Sequence, residues 1–128
     1  MYTNARSVVN KINDLKSYVL TINCDVVCLT EAWTNSNISN HYLTIPGYQL
    51  VSHIDRNDTH NGRGGGILIY IKDGLKVNES PIACDFNQYA GIQINTATYV
   101  LNLFVIYRSP NSTNENKNAY DRFRLNQM

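Results

Sequence analysis

The stretch Asp25–Trp33, DVVCLTEAW, is informative about the fold because an apolar run in it is followed directly by a carboxylate. A run of four to eight residues rich in valine and leucine is typical of a buried strand. In α/β proteins, functional side chains gather where such strands end and loops leave the sheet. The predicted strand is Asp25–Thr30, and Glu31 stands at its end. It is therefore either a ligand in a cleft or a solvated loop residue, and this stretch alone leaves both open.

The segment before this strand predicts an amphipathic helix. Ser7 can cap it, and apolar residues then recur at spacings of four and three residues. They are Val8, Ile12, Leu15, Val19 and Ile22. Such a stripe predicts one face packed on a sheet and the opposite face in water.

The segments after the strand predict mainly antiparallel pairing. Four of them read as strands: Tyr48–Ile54, Ile67–Lys72, Gly91–Asn95 and Thr98–Tyr107. Asp73-Gly74 indicates a hairpin turn after the second of these, and the last two predict a further hairpin. Glu115–Leu125 has weak helical character. A strand, a helix and a strand followed by antiparallel strands are typical of an α/β or α+β layered domain.

The bulk composition fits one soluble domain and excludes little else. The chain has 128 residues, of which 43% are hydrophobic, so a core is feasible. Charged residues make up 16%, and the net charge is +1. That balance gives no bulk electrostatic case for binding nucleic acid, so any such case depends on where individual cations lie.

Three cysteines and the absence of a long apolar segment bear on location. Cys24, Cys28 and Cys84 are an odd number without metal-site spacing, which favours free thiols in a reducing compartment. Residues 1–10 carry no apolar segment of the signal-peptide kind. Tyr99–Tyr107 is the longest apolar stretch and is too short to span a bilayer. We expect an intracellular protein, in the nucleus or cytoplasm, without a membrane partner.

Two further stretches hold candidate phosphate contacts. The glycines of Gly62–Gly66 precede a strand instead of opening a helix, so they predict close backbone approach and not a phosphate loop. Arg63 among them is either a phosphate ligand or a solvated charge. The polar residues after the last strand are Tyr107, Arg108 and Asn111, and they suit a phosphate or an ordinary turn equally well. The three histidines, His41, His53 and His60, are expected at the surface.

Four blocks occur in an order that is informative as a set. They are NARSVVNKINDLK at 4–16, DVVCLTEAW at 25–33, IPGYQL through GRGGGILIYIKDGLKV at 45–77, and YVLNLFVIYRSPNS at 99–112. Together they resemble the endonuclease/exonuclease/phosphatase superfamily. In particular they resemble the endonuclease domain of non-LTR retrotransposons, which those elements join to a reverse transcriptase domain. The resemblance covers nearly the whole chain.

The resemblance implies a fold and an activity. The fold is the N-terminal half of a four-layer α/β sandwich, so that residues 1–128 are a partial domain of this type. The activity is a DNA-nicking phosphodiesterase that depends on Mg²⁺, with Mn²⁺ as a substitute. Glu31 and Asn4 match the metal site, and Tyr107 matches a tyrosine that contacts the scissile phosphate. Arg108 and Asn111 fall where the family contacts DNA, and Arg63 is expected to be a further nucleic-acid contact.

The departures from the family pattern are equally specific. The family's Asp-x-Asn block follows its YRPP block, whereas Asp85 and Asn87 here precede YRSP, so they are read as coincidence. The later Asp-x-Asn and Ser-Asp-His blocks have no counterpart within the sequence. We therefore expect a catalytically incomplete chain with apolar faces of ILIYIK and YVLNLFVIY uncovered. The alternative is a non-catalytic remnant that at most binds nucleic acid or a partner. A phosphatase acting on a small molecule or lipid is disfavoured by the NARS and YR-x-PNS motifs.

Overall fold

A computed structural model describes residues 1–56, 64–80, 88–108 and 114–127. The elements in chain order are β1 (Tyr2–Asn4), α1 (Ile12–Ile22), β2 (Val26–Thr30), β3 (Tyr48–Ile54), β4 (Ile67–Lys72), β5 (Lys76–Glu79), β6 (Tyr89–Asn95), β7 (Val100–Ile106) and α2 (Asn114–Gln127). The segment holding Asp85 and Asn87 lies outside this described part of the chain.

The described strands form two sheets. The first, sheet A, has the order β1-β2-β4-β3, and the second, sheet B, has the order β5-β6-β7. Only β1 and β2 pair in parallel among these ladders, with Asn4 opposite Thr30. The other ladders are antiparallel. The predicted α/β (α+β) class is confirmed, with β1 at an edge of sheet A.

The strand β4 shows why the domain is layered. Its side chains alternate between the two faces of sheet A, as the pleat requires. Leu68 and Tyr70 join a core beneath α1 that includes Val19. Ile67, Ile69 and Ile71 join a second core against sheet B. The result is three layers, helix on sheet A on sheet B, and β4 is covered on both faces.

The first helix begins later than its apolar stripe predicts. It starts at Ile12 after Lys11, which makes no side-chain capping bond. The Ser7 cap is therefore wrong, because the Ser7 N–H donates to the carbonyl of Glu31 at 2.8 Å and belongs to a loop ladder. The helix ends at Asn23 in the left-handed conformation that asparagine tolerates. Ile22, the last residue of the stripe, is 43% exposed.

The two predicted hairpins have different outcomes. The pair β6–β7 is confirmed, with Ile92 opposite Leu103. Asp73-Gly74 does form a turn, but β4 and β5 on either side of it belong to different sheets. This turn therefore carries the chain from sheet A to sheet B instead of closing a hairpin.

Neither described helix combines the length and the apolar content that a bilayer crossing needs.

Candidate functional site

The strands β1, β2 and β3 of sheet A all finish at the end of the sheet where β4 begins, which is called the functional edge below. Because β1 runs parallel to β2, their carboxyl ends lie together. Ile67, which opens β4, is opposite both Thr30 of β2 and Ile54 of β3. The loops that follow β1, β2 and β3 therefore leave at the edge where β4 begins. This is the position at which α/β sheets place their functional side chains.

The loops after β1 and β2 are joined to each other by backbone hydrogen bonds. The N–H groups of Ala5 and Ser7 donate to the carbonyls of Thr30 and Glu31, each at 2.8 Å. Val8 N–H donates to the carbonyl of Ala32 at 3.0 Å. The parallel pairing of the strands thus continues into the loops, which fixes the backbone of Glu31 against the loop that follows Asn4.

The same two loops hold the non-glycine residues of the described chain that have positive φ, apart from the helix cap at Asn23. In the first loop these are Arg6 at φ 45° and Ser7 at φ 78°. In the second they are Glu31 at φ 51° and Trp33 at φ 59°. Left-handed backbone at such residues costs energy and persists where the surroundings impose it, most often at functional sites. Glu31 therefore has a left-handed backbone conformation that few non-glycine residues adopt.

The glycines before β4 let its backbone approach this loop. The N–H groups of Ala32 and Trp33 donate to the carbonyls of Gly66 and Gly65 at 3.1 and 3.0 Å. A Cβ on Gly66 would lie 3.0 Å from the Trp33 nitrogen, and Gly66 has φ +92°. The predicted role of these glycines in close backbone approach agrees with this geometry.

Glu31 and Tyr107 meet although 76 positions separate them in the sequence. The Tyr107 hydroxyl donates to Glu31 Oε1 at 2.5 Å. Burial, followed by this hydrogen bond and the nearby negative charge, raises the pKa of Tyr107 to about 12. Tyr107 therefore keeps its proton at neutral pH and serves as a donor to the carboxylate. This bond joins the end of β7 in sheet B to the end of β2 in sheet A.

Asn4 lies next to this pair in the sheet register. It ends β1 opposite Thr30, the residue before Glu31, and its side chain is exposed. On the same strand, Tyr2 places its hydroxyl 3.1 Å from the Thr30 hydroxyl oxygen. No sequence motif indicates a role for Tyr2. Only the pairing of β1 with β2 reveals that it neighbours Thr30.

The candidate nucleic-acid contacts are only partly described. Arg108 is exposed and follows Tyr107 directly, whereas Arg63 and Asn111 lie outside the described residues. Two more cations occur on the loops at this edge, Arg6 and Arg56. Arg6, Arg56 and Arg108 thus lie on described loops that leave the strand ends, although the net charge of the chain is only +1.

His53 lies near the carboxyl end of β3 and is not the surface histidine that the sequence predicts. Its side chain is 14% exposed, and Nε2 lies 2.8 Å from an Asp55 carboxylate oxygen. Its Nδ1 lies 2.6 Å from Asn40 Oδ1. Both ring nitrogens therefore lie beside oxygen atoms of neighbouring side chains, although Nε2 makes no hydrogen bond. His41 is exposed, as predicted.

Several buried polar atoms beside the second loop find no hydrogen-bond partner within the described ranges. They are Trp33 Nε1, Thr34 Oγ1 and Arg56 Nε. Buried donors are usually paired, so each such atom calls for an explanation. Thr34 is fully buried, and its carbonyl accepts the Arg56 N–H at 2.8 Å. These buried atoms retain a capacity for hydrogen bonding that no described residue satisfies.

The oxygen atoms of the Glu31 and Asn4 side chains are of the kind that binds a hard cation, with few protein ligands. No cluster of three or more His, Cys, Asp or Glu side chains that could hold a metal occurs in the described part of the chain. Magnesium nevertheless often binds through one or two carboxylates, completed by water and substrate phosphate. The Glu31 carboxylate, with the Asn4 carboxamide on the neighbouring strand end, fits that limited set of oxygen ligands.

These features define the class of protein. The profile of the Endonuclease/Exonuclease/phosphatase family matches residues 1–128, and the chain belongs to this family. Among solved structures, it is similar to "Endonuclease domain of TRAS1, a telomere-specific non-LTR retrotransposon", with TM-score 0.58 and 13% identity. That match covers 99% of this chain and 52% of the other, so the chain spans about half of that structure. No curated protein matches the chain.

Proposed function

We propose that this chain contributes half of a metal-dependent phosphodiesterase site that nicks DNA. The observation that carries the proposal is the hydrogen bond between Tyr107 and Glu31, which brings the two sheets together at the edge where three strands end. The family and the endonuclease neighbour support a nuclease-type activity. The strained backbone of Glu31 supports the same site.

The residues divide the work as follows. Glu31 would hold Mg²⁺, or Mn²⁺ in its place, with Asn4 beside it; a bound divalent cation neutralises phosphate charge and polarises the phosphorus–oxygen bonds. Tyr107 donates a hydrogen bond to Glu31 Oε1 and so orients the carboxylate. Asn4 is exposed and able to donate to a phosphate oxygen. Arg108, which follows Tyr107, would contact the DNA backbone, with Arg63 and Asn111 on neighbouring segments.

The wider setting follows from the same resemblance. In the full-length element, a reverse transcriptase domain is expected on the same polypeptide. A chain that acts on DNA and carries free Cys24 and Cys28 is expected inside the cell, in the nucleus or cytoplasm.

The test is the nicking of supercoiled plasmid in Mg²⁺. Two proteins are compared: the chain as it stands, and the chain extended by whatever its reading frame encodes after Met128. We expect no nicking by the former, since it spans about half of the solved endonuclease domain and general-base assistance alone contributes on the order of 10²–10⁴-fold. An extended protein that carries the Asp-x-Asn and Ser-Asp-His blocks is expected to nick.

Variants of the active form then assign the roles. Glu31→Gln should abolish nicking, with a loss on the order of 10²-fold or more. Asn4→Ala and Tyr107→Phe should reduce turnover less. Glu79→Gln is the matched control, because Glu79 is an exposed carboxylate on β5 in the other sheet. Equal activity in Glu31→Gln and Glu79→Gln would remove Glu31 from the site.

A second candidate function is a non-catalytic domain that binds nucleic acid or a partner. The span of about half the solved endonuclease domain favours it. Plasmid gel shifts without metal separate the two candidates. Binding that persists in Glu31→Gln, with no nicking by any extended form, would favour the non-catalytic function.

A further inference from the structure

Gln88 is a buried polar residue that no motif marks. Its side chain is 5% exposed, and both ends of the carboxamide are used. The Oε1 atom accepts the Gly66 N–H at 2.7 Å, and Nε2 donates to the Asp55 carbonyl at 3.1 Å. The backbone carbonyl of Gln88 accepts the Tyr107 N–H at 3.0 Å. Glutamine side chains are mostly exposed in folded proteins, so this degree of burial and bonding is unusual.

These bonds link the two sheets at the functional edge. Gln88 directly precedes β6 in sheet B, whereas Gly66 directly precedes β4 in sheet A. Asp55 follows β3, also in sheet A. One side chain therefore ties sheet B to two segments of sheet A, the one before β4 and the one after β3. Gly65 leaves room for it, since a Cβ there would lie 3.2 Å from Gln88 Oε1.

The bonds also close a ring around the candidate site. Gly66, whose N–H is bonded to Gln88, accepts the N–H of Ala32 through its carbonyl at 3.1 Å. Ala32 follows Glu31, whose carboxylate accepts the Tyr107 hydroxyl. Tyr107 returns to Gln88 through its own N–H. Every step between the sheets in this ring passes through Gln88 or through the Tyr107–Glu31 bond.

We propose that Gln88 is a positioning residue that holds the end of β7 at the distance where the Tyr107 hydroxyl reaches Glu31. It touches neither phosphate nor metal, and acts through Tyr107 and Gly66. The proposal deepens the proposed function, because it rests on the same pair. It predicts that loss of the Gln88 side-chain bonds frees the Tyr107 hydroxyl from Glu31 while the two sheets remain folded.

The experiment is a double-mutant cycle read as urea denaturation midpoints at neutral pH, followed by circular dichroism. Tyr107→Phe removes the hydroxyl that donates to Glu31 and should lower the midpoint of the parent chain. Gln88→Met keeps the length of the side chain but forms neither bond, and Gln88→Asn keeps the amide but shortens its reach. In either Gln88 variant, adding Tyr107→Phe should leave the midpoint unchanged, because the hydroxyl no longer reaches Glu31.

Gln93→Met is the matched control, since Gln93 is on β6 and donates to Asn102 at 3.2 Å on the exposed surface. In that variant, adding Tyr107→Phe should lower the midpoint as much as it does in the parent chain. An equally large loss in a folded Gln88 variant overturns the proposal. So does loss of the folded spectrum in both Gln88 variants, because Gln88 then maintains the fold as a whole. The measurement uses neither metal nor DNA, so it can succeed even if no form of the protein nicks.

Discussion

The strands β4 and β7 have similar apolar sequences and opposite surroundings. Every residue from Ile67 to Ile71 in β4 is fully buried. In β7, Val100 and Leu101 are 56% and 45% exposed, and Tyr99 before them is 61% exposed. Only toward its end does β7 become covered, where Val105 joins the core between the sheets. An apolar run therefore marks a strand, but its neighbours decide how much of it is buried.

The difference corrects one expectation and supports another. The expectation that ILIYIK has an uncovered face is wrong, because sheet B packs on one side of β4 and the core beneath α1 lies on the other. The expectation for YVLNLFVIY holds for its first half. In the described part of sheet B, β7 is the outer strand. The buried strand β4 and the open start of β7 thus differ in position within the sheets. The strand β4 begins at the functional edge, whereas β7 ends there.

The largest expected change in the free energy of unfolding comes from truncating one side chain in β4, compared with one in β7. Ile69→Ala in β4 should lower the free energy of unfolding by about 2–5 kcal/mol, since it opens a cavity in a closed core. Leu101→Ala in β7 should change it by less than about 0.5 kcal/mol, as exposed positions usually do. Urea denaturation followed by circular dichroism measures both. Equal losses would show that the start of β7 is covered in solution.

A smaller effect is expected where β4 begins. Gly64 and Gly66 both have positive φ, but only at Gly66 would a Cβ meet neighbouring backbone atoms. Gly64→Ala should cost about 1–2 kcal/mol for its left-handed conformation. Gly66→Ala should cost about 1 kcal/mol or more beyond that, because the chain before β4 must move away from Trp33. Denaturation midpoints of the two variants compare them directly, and equal midpoints would contradict the close approach.

Alkaline pH tests the covered end of β7. The pKa of Tyr107 is raised from 10.0 to about 12 by burial and by Glu31. Between these pH values the folded chain retains a proton that the unfolded chain has lost, so its stability should fall as pH rises. Below pH 10 this contribution is complete. Tyr70, whose pKa burial also raises, adds to the same trend.

The measurement is the urea midpoint at several pH values from 9 to 12. Tyr107→Phe should lose stability less steeply than the parent over this range. Tyr99→Phe, which changes an exposed ring at the other end of the strand, is the matched control. Identical slopes in the parent and in Tyr107→Phe would contradict the raised pKa.

The smallest effect on stability, and the most direct test of the open end of β7, concerns association. Unpaired strand edges with apolar side chains tend to pair with other chains. Leu101→Lys should therefore increase the monomeric fraction in sedimentation velocity without lowering the melting temperature. Tyr18→Lys, at a 58% exposed position on α1, carries the same charge elsewhere. Equal improvement from both would assign the effect to net charge instead of the strand edge.

Most elements of the fold were predictable from local patterns. The strands β2, β3 and β4 agree with the predicted ranges within a residue, because valine- and isoleucine-rich runs bounded by glycine and polar residues have few other solutions. The start of α1 was not predictable in this way. The helix could have begun at Ser7, but the backbone of Ser7 and Val8 pairs with the Glu31 loop instead. Long-range pairing overrode a local capping signal.

The candidate site divides in the same way. Glu31 stands out in the sequence as a carboxylate at a strand end, and resemblance adds Asn4 and Tyr107. Nothing local indicates Gln88, since its importance lies in bonds to Gly66, Asp55 and Tyr107 from distant parts of the chain. For His53 the sequence predicts an ordinary surface residue, whereas the structure places its ring beside Asn40 and Asp55.

The sequence by itself determined the strands, the amphipathic character of α1 and the family. These depend on side-chain periodicity and on short blocks, which are properties of neighbouring residues. The tertiary structure alone decided which apolar strand is buried on both faces, which residues accept left-handed backbone, and that the Tyr107 hydroxyl meets the Glu31 carboxylate. The physical reason is that burial, strain and a hydrogen bond between sheets are set by the packing of segments far apart in the chain, which no local pattern contains.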